Sequence, residues 1–449
     1  MRAMDGALPL RAKLLYASSS FGGEALTQSR GLFLVYFYSE AIDVLSAFTV
    51  GVILTVARLL ETVDDGLIGY WSDRFSSRLG RRIPFILVAT PFWGLFALLL
   101  FTPPESSSAA AAAYLFVVIE LYFLASTLTG GPYEALLPEI APRSNERVSI
   151  VGMRVYFGLG GAAVGLVGGF LLVDLVGYAG MAATLAVLAI SFRYLGLAGA
   201  WRHASRTQEP AELSLREALA TTFRNRYFLC FLPAFALFQL GFQVLLGVLP
   251  FLIEAALEID EIGRWGATLA AIALGTMLFT VPLMTRLSRR TSKRHAYRVA
   301  LLGAVALFPL LAFAGFLPGI PPEAQLVAAM VVVGLPVAGN YLFPAPLTAD
   351  VIDYDALQTG LRREATYYGA QNFVEKTTSA LTPLVLGALL TLGSTAEDPL
   401  GIRLAGPAAA LLVLGGWLAF RRYDLPDDVL AAPEAAYARP KASASAEAT

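Results

Sequence analysis

The chain is poor in the residues that soluble chemistry uses most. It has one cysteine, Cys230, and two histidines, His203 and His295, among 449 residues. A lone cysteine excludes an intramolecular disulfide and a cysteine-ligated metal. Both histidines sit in basic loop sequence, which leaves no histidine metal site and no buried histidine relay. Charge is scarce too: 15% of residues are Asp, Glu, Lys or Arg, against about a quarter in an ordinary soluble chain. What charge there is nearly cancels, to a net −1 and a pI near 6.2, so the basic surface that a nucleic-acid partner needs is missing. No cleavable signal peptide is visible, since residues 1–11 are short and apolar sequence then runs on as a full span. Long polar stretches are also lacking. Residues 202–225 form the only one, with room for a short surface helix rather than a sensor domain. An enzyme would need a nucleophile–base pair or a metal cluster at the membrane face, and the sequence offers neither.

Apolar sequence fills the chain instead, 57% of it, with mean hydropathy +0.64. Twelve runs are long enough for a hydrocarbon core. They fall near 13–38, 44–71, 83–103, 109–136, 149–173, 178–201, 226–253, 265–287, 297–317, 323–346, 366–392 and 403–421. The connections on one side hold no Arg or Lys apart from Arg264 and Arg403. The other side collects residues 74–82, Arg143 and Arg147, residues 202–226, 286–298, and Arg362 with Arg363. Cytoplasmic loops carry that excess, so both termini are expected in the cytoplasm.

An internal repeat divides the chain. ERVSIVGMRVYF (146–157) and RREATYYGAQNF (362–373) both enter the fifth helix of a half, and RLGRRIPF (78–85) and RLSRRTSKRHAY (286–297) both follow the second. The expected organisation is a six-helix bundle over 1–201, a cytoplasmic linker over 202–225, a second bundle over 226–422 and a disordered tail over 423–449. Parallel repeats of this kind place a solute site between the halves near the midplane.

The charges inside the spans are the candidate site. Residues 51–82, GVILTVARLLETVDDGLIGYWSDRFSSRLGRR, carry Arg58, Glu61, Asp64 and Asp65 within sequence apolar enough to cross a bilayer. Helical pitch puts Arg58, Glu61 and Asp65 on one face. Each charge at mid-depth costs about 2.5–3.5 kcal/mol, so such groups face a bundle interior or a wet cavity. Three neighbouring carboxylates cannot all stay ionised in a dry site: either a cation sits among them or one binds a proton. Thr127 offers a hydroxyl ligand for Na⁺, and beyond that ion no metal is expected. Asp73, Arg74 and Arg81 read as a gate or topological clamp.

Elsewhere, Glu24 lies half-way down the first helix, with Arg30 as its candidate partner. Glu134 either faces a cavity or caps its helix. Arg154, in the Gly-rich run before GLGGAAVGLVGG, suits a forked contact with hydroxyls or a carboxylate. Lys376, beside Glu375, needs a carboxylate, and the second-span acids are the nearest choice. Gln371 and Asn372 are placed to hydrogen-bond a polar solute. Tyr341 either offers a ring for sugar stacking or is ordinary packing.

VARLLETVDDGLIGYWSDR (56–74), RLGRRIPFIL (78–87), GGPYEALLPE (130–139), ERVSIVGMR (146–154), ADVIDY (349–354) and YYGAQNFVEK (367–376) together resemble the glycoside–pentoside–hexuronide:cation symporters, the melibiose permease-like branch of the major facilitator superfamily. The likeness runs from Lys13 to about Arg421. It implies an all-α membrane protein of twelve transmembrane helices in two pseudo-symmetric bundles, monomeric, in the bacterial inner membrane, with Na⁺ or H⁺ as coupling ion and no other cofactor. The resemblance makes Glu61 and Asp65 cation ligands together with Thr127, and puts Asp64 where that branch has an asparagine. Glu24, Arg154, Gln371 and Lys376 fall at its sugar site. Gly23, Gly130, Glu134 and Tyr341 depart from its lysine, aspartate and two tryptophans, so the cation site is the better preserved. The implied activity is cation-coupled symport of a sugar or glycoside; carriage of a lysophospholipid on the same fold is the alternative.

Overall fold

The computed structural model describes residues 8–74, 77, 79, 82–104, 107–141, 144–201, 223–256, 262–359 and 364–425. Among these residues there is no strand, and the helices form twelve rods. The first four are Leu10–Tyr36, Ala47–Arg74, Ile83–Leu99 and Ser108–Ala135. The fifth starts at Ser144–Ala163 and runs through a π turn, Val164–Gly168; the sixth ends at Ala200. Gly177 separates these two with φ 71°, a left-handed conformation open to glycine without a Cβ clash. The remaining rods are Arg226–Phe251, Ile262–Arg290, Lys293–Leu307 with Phe308–Phe313, Pro322–Leu342 with Pro344–Thr359, Glu364–Ala380 with Thr382–Leu390, and Leu400–Phe420. Seven helices among the described residues are both long and apolar enough to cross a membrane.

Local chemistry sets the rod ends. Asn225 Oδ1 accepts from the backbone N–H groups of Tyr227 and Phe228, and Ser292 Oγ accepts from that of His295, so both rods begin on side-chain caps. Phe343 directly precedes Pro344, where the tenth rod restarts, and Pro383 stands in the first turn of the segment that resumes the eleventh at Thr382. Residues 202–222 of the polar connection lie outside the described residues. The expected tail does not begin at Tyr423: this residue is buried, stacks on Phe420 at 4.9 Å, and its carbonyl accepts from Arg298 at 3.1 Å. An aromatic ring that covers the end of the twelfth rod keeps the chain packed as far as Leu425, which is also buried.

The repeat seen in the sequence has a physical counterpart. Arg82, entering the third rod, pairs with Glu139 after the fourth at 2.6 Å. Lys293, entering the ninth, pairs with Asp350 in the second segment of the tenth at 2.5 Å. Both carboxylates are buried, and each pair ties neighbouring rods of its own half at the basic end. Lys13 with Glu146 adds a third such tie, at 2.8 Å.

Between halves, contact is concentrated at the opposite end. Thr55 donates to the Ala380 carbonyl at 2.9 Å, and Tyr36 meets Phe251 edge-on at 5.0 Å. A Cβ on Gly51 would lie 2.3 Å from the Pro383 carbonyl oxygen, and one on Gly387 would lie 2.6 Å from that of Ala47. The second and eleventh rods therefore approach backbone to backbone, as small residues allow. The fifth and eighth rods also meet closely, with a Cβ on Gly263 falling 2.9 Å from the Phe170 carbonyl oxygen and Gly266 packed on the Phe170 ring.

Two outcomes follow from these contacts. Gly51→Leu holds the second and eleventh rods apart, so a Thr55→Cys probe in a Cys230→Ser background reacts faster with an impermeant maleimide. The expected gain is roughly tenfold, the factor that about 1.4 kcal/mol produces; unchanged labelling would show that the seam does not depend on the glycine. Arg82→Met takes the arginine from a buried carboxylate and lowers thermal stability by about 3 kcal/mol. Adding Glu139→Gln restores part of that loss, and a double variant that melts no higher than the single would refute the brace.

Candidate solute and ion site

Two connected cavities lie where the halves face one another. The larger, 530 Å³, is walled by Ser20, Glu24 and Gln28 of the first rod, Arg154 and Gly158 of the fifth, Gln239 and Phe242 of the seventh, Met277 of the eighth, Met330, Val333 and Tyr341 of the tenth, and Glu375 of the eleventh. The smaller, 250 Å³, shares Glu24, Gln28, Gln239 and Glu375 with it and continues to Arg30, Arg58, Phe123, Gln243, Ser379 and Thr382. Glu24 and Glu375, one from each half, thus stand on the wall common to both. A concave chamber with a few convergent polar groups is the usual form of a small-molecule site.

Arg154 is held on two sides. Its Nε donates to Ser20 Oγ at 3.2 Å, and its two terminal nitrogens grip both oxygens of Glu134. The forked contact expected of Arg154 is made here with a carboxylate of the protein itself. Glu134 projects into open space, its side chain 54% exposed, and does not cap its helix in this arrangement. Next to it, Tyr133 stacks on Tyr16 at 4.7 Å, nearly parallel. Each tyrosine hydroxyl donates to the other residue's carbonyl, at 2.9 and 2.7 Å. This reciprocal clasp fixes the first rod against the fourth and so sets where Ser20 and Glu24 face the chamber. Arg193 lies over the Tyr133 ring at 4.7 Å and the Trp93 ring at 5.4 Å, spreading its charge on aromatic faces.

The ion-site candidates divide. Glu61 is buried and paired with Arg58, which lies 4.8 Å over the Phe123 ring. Thr127 is buried one turn along from Phe123 on the fourth rod. Asp64, Asp65, Asp73 and Arg74 belong to the second rod, but their side chains, like Arg81, lie outside the described residues. Arg30 is not directed at Glu24; it sits over the Tyr122 and Phe123 rings at 5.3 Å from each and lines the smaller cavity. Six residues of helix separate the two, which turns them to different faces. Glu24 stands one turn from Gln28, and the two line both cavities side by side.

On the eleventh rod, Glu375 faces the chamber, whereas Gln371, Asn372 and Lys376 line neither cavity. Gln371 is buried and accepts from Thr348 Oγ1 at 2.7 Å, so its amide ties this rod to the second segment of the tenth. Asn372 and Lys376 are exposed and stand about 100° around the helix from Gln371 and Glu375. Lys376 is one turn from Ala380, the residue bonded to Thr55, and so shares the face turned to the second rod. Tyr341 does line the larger cavity, edge-on to Phe242 at 6.4 Å. Sequence reasoning passed over Arg193, Gln28, Gln239 and Glu375. A charge or amide inside an apolar run was the available signal for each.

Comparison with known proteins agrees with this architecture. The family model described as MFS/sugar transport protein matches residues 15–401. A putative sulfoquinovose importer of Salmonella typhimurium is 24% identical over 397 residues, covering 86% of this chain and 81% of its own. The isoprimeverose transporter of Lactiplantibacillus pentosus is 22% identical over 399 residues, covering 86% and 81%. In fold, a crystal structure of a mutant of the nucleoside transporter NupG superposes with TM-score 0.66 at 14% identity, over 92% of this chain and all of that one. With most of its length matched by the family model, and with twelve rods around a chamber between two halves, the chain belongs to the MFS/sugar transport protein family.

Proposed function

We propose that the chain carries a sugar or glycoside across the bacterial inner membrane together with a cation, Na⁺ or H⁺, by alternating access. The observation that carries the reading is the 530 Å³ chamber walled by both halves, sharing Glu24 and Glu375 with a second cavity that reaches Arg58. A solute in the first and an ion near the second would thus act on common groups. If the basic end lies in the cytoplasm, as the Arg and Lys distribution favours, the tight seam of Gly51 and Pro383 is periplasmic and this is the inward-facing form. Relatives named as a sulfoquinovose importer and an isoprimeverose transporter support a sugar-like cargo.

The coupling follows from charge. Glu61 now has Arg58 as its counter-ion. A cation held by Glu61, Asp65 and Thr127 would replace part of that pairing and release positive charge toward Lys376 and the shared wall. Solute hydroxyls at Glu24 and Gln239 favour the arrangement in which that wall is drawn closed. By reciprocal linkage, whatever the ion adds to solute affinity, the solute adds to ion affinity.

Uptake into proteoliposomes, with Na⁺ and pH gradients set independently, tests this. One of the two gradients is expected to drive accumulation and to raise solute affinity by roughly 5–150-fold, the span of ordinary coupling energies. Glu61→Gln should abolish accumulation while retaining solute exchange without a gradient. Accumulation indifferent to both ions would overturn the coupling.

A further inference from the structure

The walls of the larger cavity differ in kind. The first and fifth rods present Ser20, Glu24, Gln28 and Arg154. The eighth and tenth rods answer with Met277, Met330, Val333 and Val337, backed by Leu246 of the seventh, and Tyr341 stands one turn beyond Val337. Met277, Met330 and Val333 are buried at 5–6% exposure, so this wall is fixed packing rather than a loose surface. Gln239 and Glu375 bring the polar lining of the second half to the boundary between the two surfaces.

Resting on the preceding reading, we infer that the chamber takes a neutral glycoside with an apolar aglycone. The sugar lies against Glu24, Gln239 and Glu375, and the aglycone against Met277, Met330 and Val333. A second sugar in that place would press its hydroxyls onto Met277, Met330 and Val333, which offer no donor and only the weak thioether acceptor, and hydroxyls buried without partners are costly. An apolar ring or chain gains by the same burial, and methionine side chains adapt to its outline. Volume agrees, since 530 Å³ falls in the range of chambers that hold drug-sized molecules. Charge narrows the class further. Both terminal nitrogens of Arg154 are engaged by Glu134, and the other acidic side chains lining this cavity, Glu24 and Glu375, offer an anion no counter-charge. The relative named for sulfoquinovose therefore differs from this chain in the cargo it is named for.

Calorimetric titration of the full chain in lipid nanodiscs tests the inference. The probes are the 4-nitrophenyl glycosides of glucose, galactose and xylose, the three free sugars, 4-nitrophenyl glucuronide and lysophosphatidylcholine. For at least one sugar the aryl glycoside is expected to bind roughly tenfold or more tightly than the free sugar, the factor that burial of a ring supplies. The glucuronide should bind more weakly than the glucoside. Val333→Asn should bring the aryl-to-free ratio close to parity, while Val333→Ile keeps it. Parity in the unaltered chain, a ratio unmoved by Val333→Asn, or a glucuronide that binds as well as the glucoside overturns the inference and leaves sugar carriage standing. Tighter binding of lysophosphatidylcholine than of every glycoside also overturns it, assigning the apolar wall to a lipid. Failure of all sugars and glycosides to bind overturns the proposed function as well.

Discussion

A charge inside a bilayer protein must find its counter-charge, a ring face or water, and this constraint arranges the centre of the molecule. Each arginine described at mid-depth in the first half meets it differently. Arg58 takes Glu61, Arg154 takes Glu134 and Ser20, and Arg30 and Arg193 spread over aromatic rings. These solutions lie within the first half, so the chamber inherits a polar wall there. The second half supplies Met277, Met330 and Val333 together with Gln239, Tyr341 and the carboxylate of Glu375. The asymmetry of the chamber is the trace of where the charges were placed.

Much of the fold was legible in the sequence because a membrane span announces itself by length and hydropathy alone. The repeat of basic turns after the second helix of each half was visible as well, and the structure gives it a reason in Arg82 with Glu139 and Lys293 with Asp350. Arg403, an exception to the charge asymmetry of the loops, also finds an explanation. Its guanidinium donates to the carbonyls of Ala312 and Ala314, where the ninth rod ends, and covers the Phe316 ring at 4.1 Å. A cation at a helix C-terminus is locally balanced.

The site was less legible because a list of polar residues does not state which way a helix is turned. Gln371 and Glu375 lie one turn apart on one face, yet only Glu375 reaches the chamber; Thr348 takes the amide of Gln371. Arg30 and Glu24 share a helix, but their separation points the arginine at Tyr122 and Phe123. The Tyr16–Tyr133 clasp is made of two backbone carbonyls and two hydroxyls, groups that no residue pattern singles out.

The described ion pairs at the basic end, Lys13 with Glu146, Arg82 with Glu139 and Lys293 with Asp350, each close within one bundle. These pairs brace rods inside a bundle. The glycine seam joins one bundle to the other by a different kind of contact, close backbone approach whose forces are short-ranged. Dispersion between two backbones acts only at close range, so roughly a quarter to a half of that attraction is forfeited once the rods part by about 0.5–1 Å.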